Sequence, residues 1–206
     1  MDALIAVDIQ NDFLPGGALA VPRGDEVIAI VNGLMPRADL VVATQDWHPP
    51  DHLSFASQHP GRQVGDVIDL DGIEQVLWPD HCVQGTPGAA LADALDTTRI
   101  SEVFRKGSDR RVDSYSGFYD NGRRHATGLA DYLRQRGVTR VWVCGLATDY
   151  CVKYTALDAL REGLATCVVE DACRGVEVRP GDVAAAWDEM RRAGAQVARS
   201  ADMRHG

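Results

Sequence analysis

VWVCGLATDYCVKYTAL, residues 141–157, reads as a β-strand, a tight turn and the opening of a helix. Val141–Cys144 is a short apolar run, Gly145 interrupts it, and Val152, Ala156, Ala159 and Leu160 then recur at helical spacing. Thr148 stands where an N-cap residue is expected. The same alternation runs along the chain. Ala3–Val7, Leu40–Ala43, Glu102–Phe104, Thr166–Val169 and a weaker Gln196–Ala198 read as further strands. Val27/Val31/Leu34, Ala126/Leu129/Ala130/Leu133 and Val183/Trp187/Met190 mark helices between them. Gly137, Gly163 and Gly194 follow helical segments where a left-handed cap is wanted, and Pro180 stands where a first helical turn tolerates it. Short strands alternating with helices predict an α/β fold: a three-layer α/β/α sandwich around a mostly parallel, roughly six-stranded, Rossmann-like sheet.

The size of 206 residues suits one domain spanning 1–206 with one substantial core. Hydrophobic residues make up 45% and charged residues 25%, which is ordinary globular usage and argues against disorder. Thirty acidic against 21 basic residues give a net charge of -9 without a basic stripe, so nucleic acid is not an expected partner. No apolar segment approaches the roughly 20 residues a membrane span needs. The opening run Ala3–Val7 lacks a preceding basic region and is followed by Asp8, so it reads as a strand and not a signal peptide. The expected location is cytoplasmic, and self-association is compatible with all of this. The five cysteines are odd in number and form no Cys-x-x-Cys pattern; Cys144 and Cys167 sit in apolar runs as small hydrophobes would.

Ionisable residues fall at the carboxyl ends of the strands. Asp8 ends the first, Asp46 and His48 follow the second, Lys106 follows the third, and Cys151 follows the fourth after a short turn. Ligands bind at that edge of open parallel sheets, because strand ends and helix N-termini converge there. Taken alone, Cys151 is most simply a buried core cysteine. In the first turn of a helix, however, unpaired N–H groups stabilise a thiolate and can hold an oxyanion. Lys106 beside the sulfur is expected to lower its pKa further, and Asp8 can take the thiol proton and return it to a leaving amine. Asp46 and His48, with His81 from the far end of the Pro-, His- and Asp-rich stretch 45–89, offer a carboxylate and two imidazoles, a donor set suited to a divalent transition metal. His52 reads as a ligand, a support for one or a loop-fixing side chain; His59, His125 and His205 read as solvated, as does the Arg110-Arg111 pair.

With those residues in hand, the chain resembles the nicotinamidase (pyrazinamidase) family of the isochorismatase-like cysteine hydrolase superfamily over nearly its whole length. The resemblance rests on the ordered set 7–13 (VDIQNDF), 15–19 (PGGAL), 46–49 (DWHP), 78–83 (WPDHCV), Lys106-Gly107, 113–118 (DSYSGF) and 145–152 (GLATDYCV). It implies an isochorismatase-like fold and hydrolysis of nicotinamide to nicotinate and ammonia through a cysteine thioester. It further implies a catalytic set of Asp8, Lys106 and Cys151, one zinc, iron or manganese ion held by Asp46, His48 and His81, and an oxyanion hole from the N–H groups of Ala147 and Cys151. Phe13, Leu19, Trp78 and Tyr115 match positions that wall the substrate ring, and the Leu146–Ala147 peptide is implied to be cis.

Three other readings compete. A metal-independent cysteine amidase for a carbamoyl or ureido compound would not call for the Asp46, His48 and His81 set. A non-catalytic binding protein on the same scaffold would not call for an intact nucleophile, base and ammonium. A thiol redox enzyme would need a resolving cysteine, for which Cys144 and Cys82 are the candidates.

Overall fold

The computed structural model describes residues 1–203; the expectation for His205 lies outside the described residues. The strands, in chain order, are β1 (Asp2–Val7), β2 (Leu40–Asp46), β3 (Val67–Leu70), β4 (Ile73–Val76), β5 (Glu102–Lys106), β6 (Arg140–Leu146), β7 (Ala165–Arg174) and β8 (Gln196–Ala198). The α-helices are α1 (Glu26–Leu34), α2 (Leu129–Gln135), α3 (Lys153–Arg161) and α4 (Asp182–Ala193).

Six strands form one sheet in the order β5-β2-β1-β6-β7-β8, with every neighbouring pair parallel. The chain starts in the middle at β1, moves outward through β2 to β5, then returns to β6 and moves outward the other way. Right-handed crossovers therefore place α1 on one face and α2, α3 and α4 on the other, which makes the three layers. The reversal of direction leaves a crevice beyond the carboxyl ends of β1 and β6. Asp8 and the turn to Cys151 emerge there, on either side.

Burial explains the strand compositions. Leu4, Ile5, Val141 and Val143 on the central strands are fully buried, and such side chains contribute roughly 1.5–3 kcal/mol each relative to exposure. The edge strands β5 and β8 alternate or thin out in burial instead. Gly145 has φ 120°, and an added Cβ would lie 2.2 Å from the Val7 carbonyl oxygen, so only glycine lets β6 leave the sheet this close to β1.

The strands run past the apolar cores that mark them in sequence. β2 continues through Thr44, Gln45 and Asp46, β5 through Arg105 and Lys106, β6 to Leu146 and β7 to Arg174. Thr44, Gln45, Asp46 and Lys106 are all buried, held by hydrogen bonds that an apolar run does not reveal. Three local expectations are corrected. Ala126 precedes α2 and pairs with Tyr119 in an isolated bridge. Pro180 lies before Gly181, which caps α4, and so stands outside the helix. Thr148 is not a cap: a π-helical turn, Thr148–Val152, leads into α3, and extended Ala147 precedes it without a side-chain cap. Gly137, Gly163 and Gly194 all take positive φ, as expected.

The stretch between β2 and β5 carries the antiparallel β3–β4 hairpin, in which Leu70 pairs with Ile73 across Asp71-Gly72, both at positive φ. That is the dihedral pattern of a type I′ turn. Among the described residues, no helix is long and apolar enough to cross a membrane.

Candidate active site

Four strand ends deliver the ionisable groups to one buried point. Lys106, 2% exposed at the end of β5, places Nζ 2.9 Å from Asp8 Oδ2, 2.7 Å from Asp46 Oδ1, 2.8 Å from the Ser114 carbonyl and 3.4 Å from Cys151 Sγ. Asp8 turns sharply after β1 at φ 47°. Thr44 fixes its carboxylate, accepting from the Asp8 N–H at 3.2 Å and donating to Oδ1 at 2.6 Å. The other oxygen, Oδ2, pairs with the ammonium at 2.9 Å. A buried carboxylate oxygen with room for a further bond, beside a thiol, is placed to receive a proton.

The charge states follow from this packing. Burial pushes the Asp8 carboxyl up, and Lys106 only partly opposes it. Burial also disfavours charge on Asp46 and Lys106, but each is overridden: Lys106 and His48 hold Asp46 well below the carboxylate range, while Asp46 and Asp8 hold Lys106 well above the usual lysine value. The expected lowering of the Cys151 pKa is not found. Burial pushes the thiol well up, Lys106 opposes, and Asp8 and Asp46 add to the rise. The resting site therefore holds a thiol beside a carboxylate of raised basicity, and the thiolate forms only as Asp8 takes the proton.

Asp46 joins this set to a second one. Its Oδ2 lies 3.4 Å from His48 Nε2 and 3.7 Å from His81 Nε2, and the three donor atoms fall within 4.8 Å of one another. Donors on a tetrahedral ion at bonds of ~2.1 Å stand about 3.4 Å apart, so the spacing fits. Each imidazole has its other nitrogen committed to a backbone carbonyl, His48 Nδ1 to Gly107 at 2.8 Å and His81 Nδ1 to Pro79 at 2.7 Å. That fixes the tautomer with Nε2 as the free lone pair, the usual arrangement around a metal-binding histidine. His48 Nε2 is buried with no hydrogen-bond partner. Burial pushes the His48 pKa down, yet Asp46 outweighs it and raises it, so the cluster favours a positive charge at its centre. The residues present fit a divalent cation.

Gly107 makes this cluster possible. It has φ 65°, and an added Cβ would lie 2.4 Å from His48 Cε1. Gly107→Ala is expected to push the His48 ring aside and weaken the cluster's affinity for a divalent cation, probed with zinc, roughly 10- to 100-fold. Zinc titration against a competing chelator, with circular dichroism as a control on folding, checks this. Unchanged zinc affinity would show that the ring tolerates the methyl group.

His52 is buried, with its ring centroid 4.4 Å from that of His48. Its Nδ1 bonds Ser54 Oγ at 2.7 Å and accepts from the Ser54 N–H, so it fixes the loop; burial, then His48, pushes its pKa down to about 4. Its Nε2 has no partner, and with His48 and Asp113 it forms a second group of donor atoms within 4.8 Å. His59 is not simply solvated, since it is half-buried and bonds the Leu53 carbonyl. His125 is exposed, paired with Asp120. Arg110 and Arg111 are surface residues that pair with Asp51 and Asp71.

Phe13, Leu19, Trp78 and Tyr115 line one narrow cavity with Asp46, His81, Ala147 and Cys151. Its aromatic and aliphatic walls suit a small ring. Trp78 Nε1 donates to the Tyr115 hydroxyl at 3.2 Å, which locks two of the walls together. The Leu146–Ala147 peptide is cis, and the five cysteines are free and buried.

Sequence reading missed several supports. Gln10 bonds both the N–H and the carbonyl of Asp46, Asp12 accepts from the Cys82 N–H beside His81, and Asp113 lines the cavity. Gln10, Asp12 and Asp113 all lie inside segments that carry the family resemblance, which was the one signal available for them.

A parallel sheet that gathers a thiol, an ammonium and two carboxylates at its switch point has the architecture of a covalent hydrolase, and comparison with known proteins agrees. Residues 2–202 match the isochorismatase domain, and the chain belongs to the isochorismatase family. Within it, the chain is 51% identical over 204 residues to the nicotinamidase of Escherichia coli K12, covering 97% of this chain and 95% of the relative. A solved nicotinamidase/pyrazinamidase from Acinetobacter baumannii superposes with a TM-score of 0.95 at 45% identity, covering 98% of this chain and 97% of that one. The pyrazinamidase of Pyrococcus horikoshii, solved in complex with zinc, superposes with a TM-score of 0.78 at 39% identity over 96% of this chain and 98% of that one.

Proposed function

We propose that this chain is an amidohydrolase that converts nicotinamide to nicotinate and ammonia and also accepts pyrazinamide. The observation that carries the reading is Lys106 Nζ, 3.4 Å from Cys151 Sγ and 2.9 Å from Asp8, with Cys151 itself lining a narrow cavity bordered by Asp46 and His81. Asp8 takes the Cys151 proton on its carboxylate, and the thiolate adds to the carboxamide carbon. The carbon–nitrogen bond breaks as Asp8 returns the proton, so the nitrogen leaves as ammonia. Water then cleaves the thioester, releasing nicotinate and restoring the thiol. Lys106 stays charged throughout and holds both carboxylates in register. The N–H groups of Ala147 and Cys151 face the developing oxyanion.

Asp46, His48 and His81 would hold zinc, iron or manganese, which when bound supplies a Lewis-acid site for the pyridine nitrogen. Phe13, Leu19, Trp78 and Tyr115 sandwich the ring and set the carboxamide over the sulfur. The cation cluster disfavours a metal-independent amidase, and the assembled Asp8, Lys106 and Cys151 disfavour a non-catalytic binding protein. The chain works as one domain on this reading, and five free thiols suit a reducing cytoplasm.

Ammonia release from nicotinamide, before and after stripping with a chelator, tests the assignment. Stripping is expected to lower kcat/KM by about 10²-fold or more, the effect of misplacing the reacting carbon by about 1 Å. Restoration with zinc, iron or manganese should return it and rank the metals. Full activity after verified metal removal would confine the cluster to a structural role, and no release from metal-loaded protein would sink the substrate assignment.

A further inference from the structure

Most of the cavity lining is deeply buried, but Leu19, Tyr115, Tyr150 and Val176 are only half-buried and therefore form its mouth. Tyr115 and Tyr150 are rigid parts of that mouth. The Tyr115 hydroxyl is held by Trp78 and Gln75, and Tyr150 packs edge-on against Trp78 at 4.8 Å and against Tyr115 at 5.3 Å. Val176 comes from elsewhere, from the loop between β7 and α4, and neither the sequence motifs nor the reaction above uses it.

That loop is fastened to the nucleophile turn by one side chain. Asp149 lies between Ala147 and Cys151 and is 4% exposed. Its Oδ1 accepts the Val176 N–H at 3.0 Å and its Oδ2 accepts the Glu177 N–H at 2.7 Å. Charge-assisted bonds of this kind are about twice as strong as neutral ones. The backbone is shaped to receive them. Glu177 bends at φ 53°, and a Cβ on Gly175 would lie 2.2 Å from Val183 and 3.0 Å from Asp149 Oδ1. Asp149 does not itself line the ring cavity.

We propose that Val176 sets which ring substituents the mouth admits, and that Asp149 is the positioning residue that holds it there. This rests on the ring-amide reading above and deepens it: the substrates excluded are nicotinamides carrying a methyl group on the ring edge that meets Val176. A rigid branched side chain can exclude a methyl group only if its backbone is fixed, and the two bonds from Asp149 supply that fixity.

The test compares kcat/KM for nicotinamide, 5-methylnicotinamide and 6-methylnicotinamide in metal-loaded wild type, Val176→Ala, Val176→Leu, Asp149→Asn and the Val176→Ala/Asp149→Asn double variant. Val176→Ala is expected to raise the methylated-to-parent ratio for at least one isomer about tenfold or more, the scale on which apolar pockets distinguish a single carbon, and Val176→Leu to lower it. Asp149→Asn should raise the ratio for the same isomer, mainly through KM, and add nothing in the double variant, because the side chain it positions is gone. If Asp149→Asn does not fold, Asp149→Ser takes its place. Ratios within twofold of wild type in both Val176 variants would overturn the size role. An Asp149 effect that persists undiminished in the double variant, or no Asp149 effect at all, would overturn the positioning role. Wild type inert on nicotinamide would instead bring down the ring-amide reading itself.

Discussion

Cys151→Ala is expected to abolish ammonia release from nicotinamide, lowering kcat by about 10⁴- to 10⁶-fold, the range seen when a covalent nucleophile is removed from an intact site. The loss should be confined to chemistry. None of Asp46, His48 or His81 bonds the sulfur, whose partners are Lys106 at 3.4 Å and Asp8. The orienting bonds from His48 to Gly107 and from His81 to Pro79 run to backbone carbonyls and do not involve it. Metal content should therefore match wild type, and nicotinamide should still bind, measurable by calorimetry on the inert variant. Removing one buried sulfur should cost stability on the order of 1 kcal/mol. Residual turnover above about 1% of wild type would point to another nucleophile or to a water attacking directly. Loss of metal would show that the thiol and the cation cluster are not the separate units their contacts describe.

The raised thiol pKa changes what this experiment reports. A cysteine at the start of a helix, read from sequence, is a preformed thiolate. Here the turn is π-helical, burial dominates, and two carboxylates lie within 4.8 Å of the sulfur and each other. Alkylation of resting wild type by a small thiol reagent should be slow at neutral pH, because proton transfer to Asp8 must precede attack.

What the sequence carried and what it hid divide along a physical line. Asp8, Asp46, His48, Lys106 and Cys151 were legible because a parallel sheet brings its carboxyl ends together whatever the loops do. The strand lengths were not, since apolar patterning stops at Thr44, whose burial depends on Asp8, 36 residues away. Gln10 shows the same limit: its partners are Asp46 and Ala89, 36 and 79 residues distant. Asp149, in the nucleophile turn, bonds Val176, 27 residues on in a loop that has no periodicity. The β3–β4 hairpin was half-legible. Asp71-Gly72 is the dipeptide a tight hairpin wants, but charged Glu74 and buried polar Gln75 obscure the returning strand. The thiol pKa was misjudged for a related reason, because desolvation depends on everything packed around the group and one helix end does not decide it.

Lys106→Met should cost both activity and stability, and the two losses should separate. The ammonium sits between Asp8 Oδ2 at 2.9 Å and Asp46 Oδ1 at 2.7 Å, with the side chains essentially sealed from water. Methionine fills similar space without charge, so packing survives while two carboxylates are left facing each other. Removing one partner of such a buried set typically costs 3–5 kcal/mol, read as a lower denaturant midpoint at unchanged slope. Activity should fall at least about 10³-fold, since Asp8 and Asp46 lose the charge that fixes them and the developing thiolate loses its nearest cation. Adding Asp8→Asn to Lys106→Met removes one of the two uncompensated charges. Part of the lost stability should return, while activity stays absent because the proton acceptor is gone as well. Set against the effect of Asp8→Asn in the wild type, that recovery gives the Asp8–Lys106 coupling. If the double variant is no more stable than Lys106→Met, then the ammonium is retained for its bonds to Asp46 and Ser114, and its partnership with Asp8 contributes nothing to the fold.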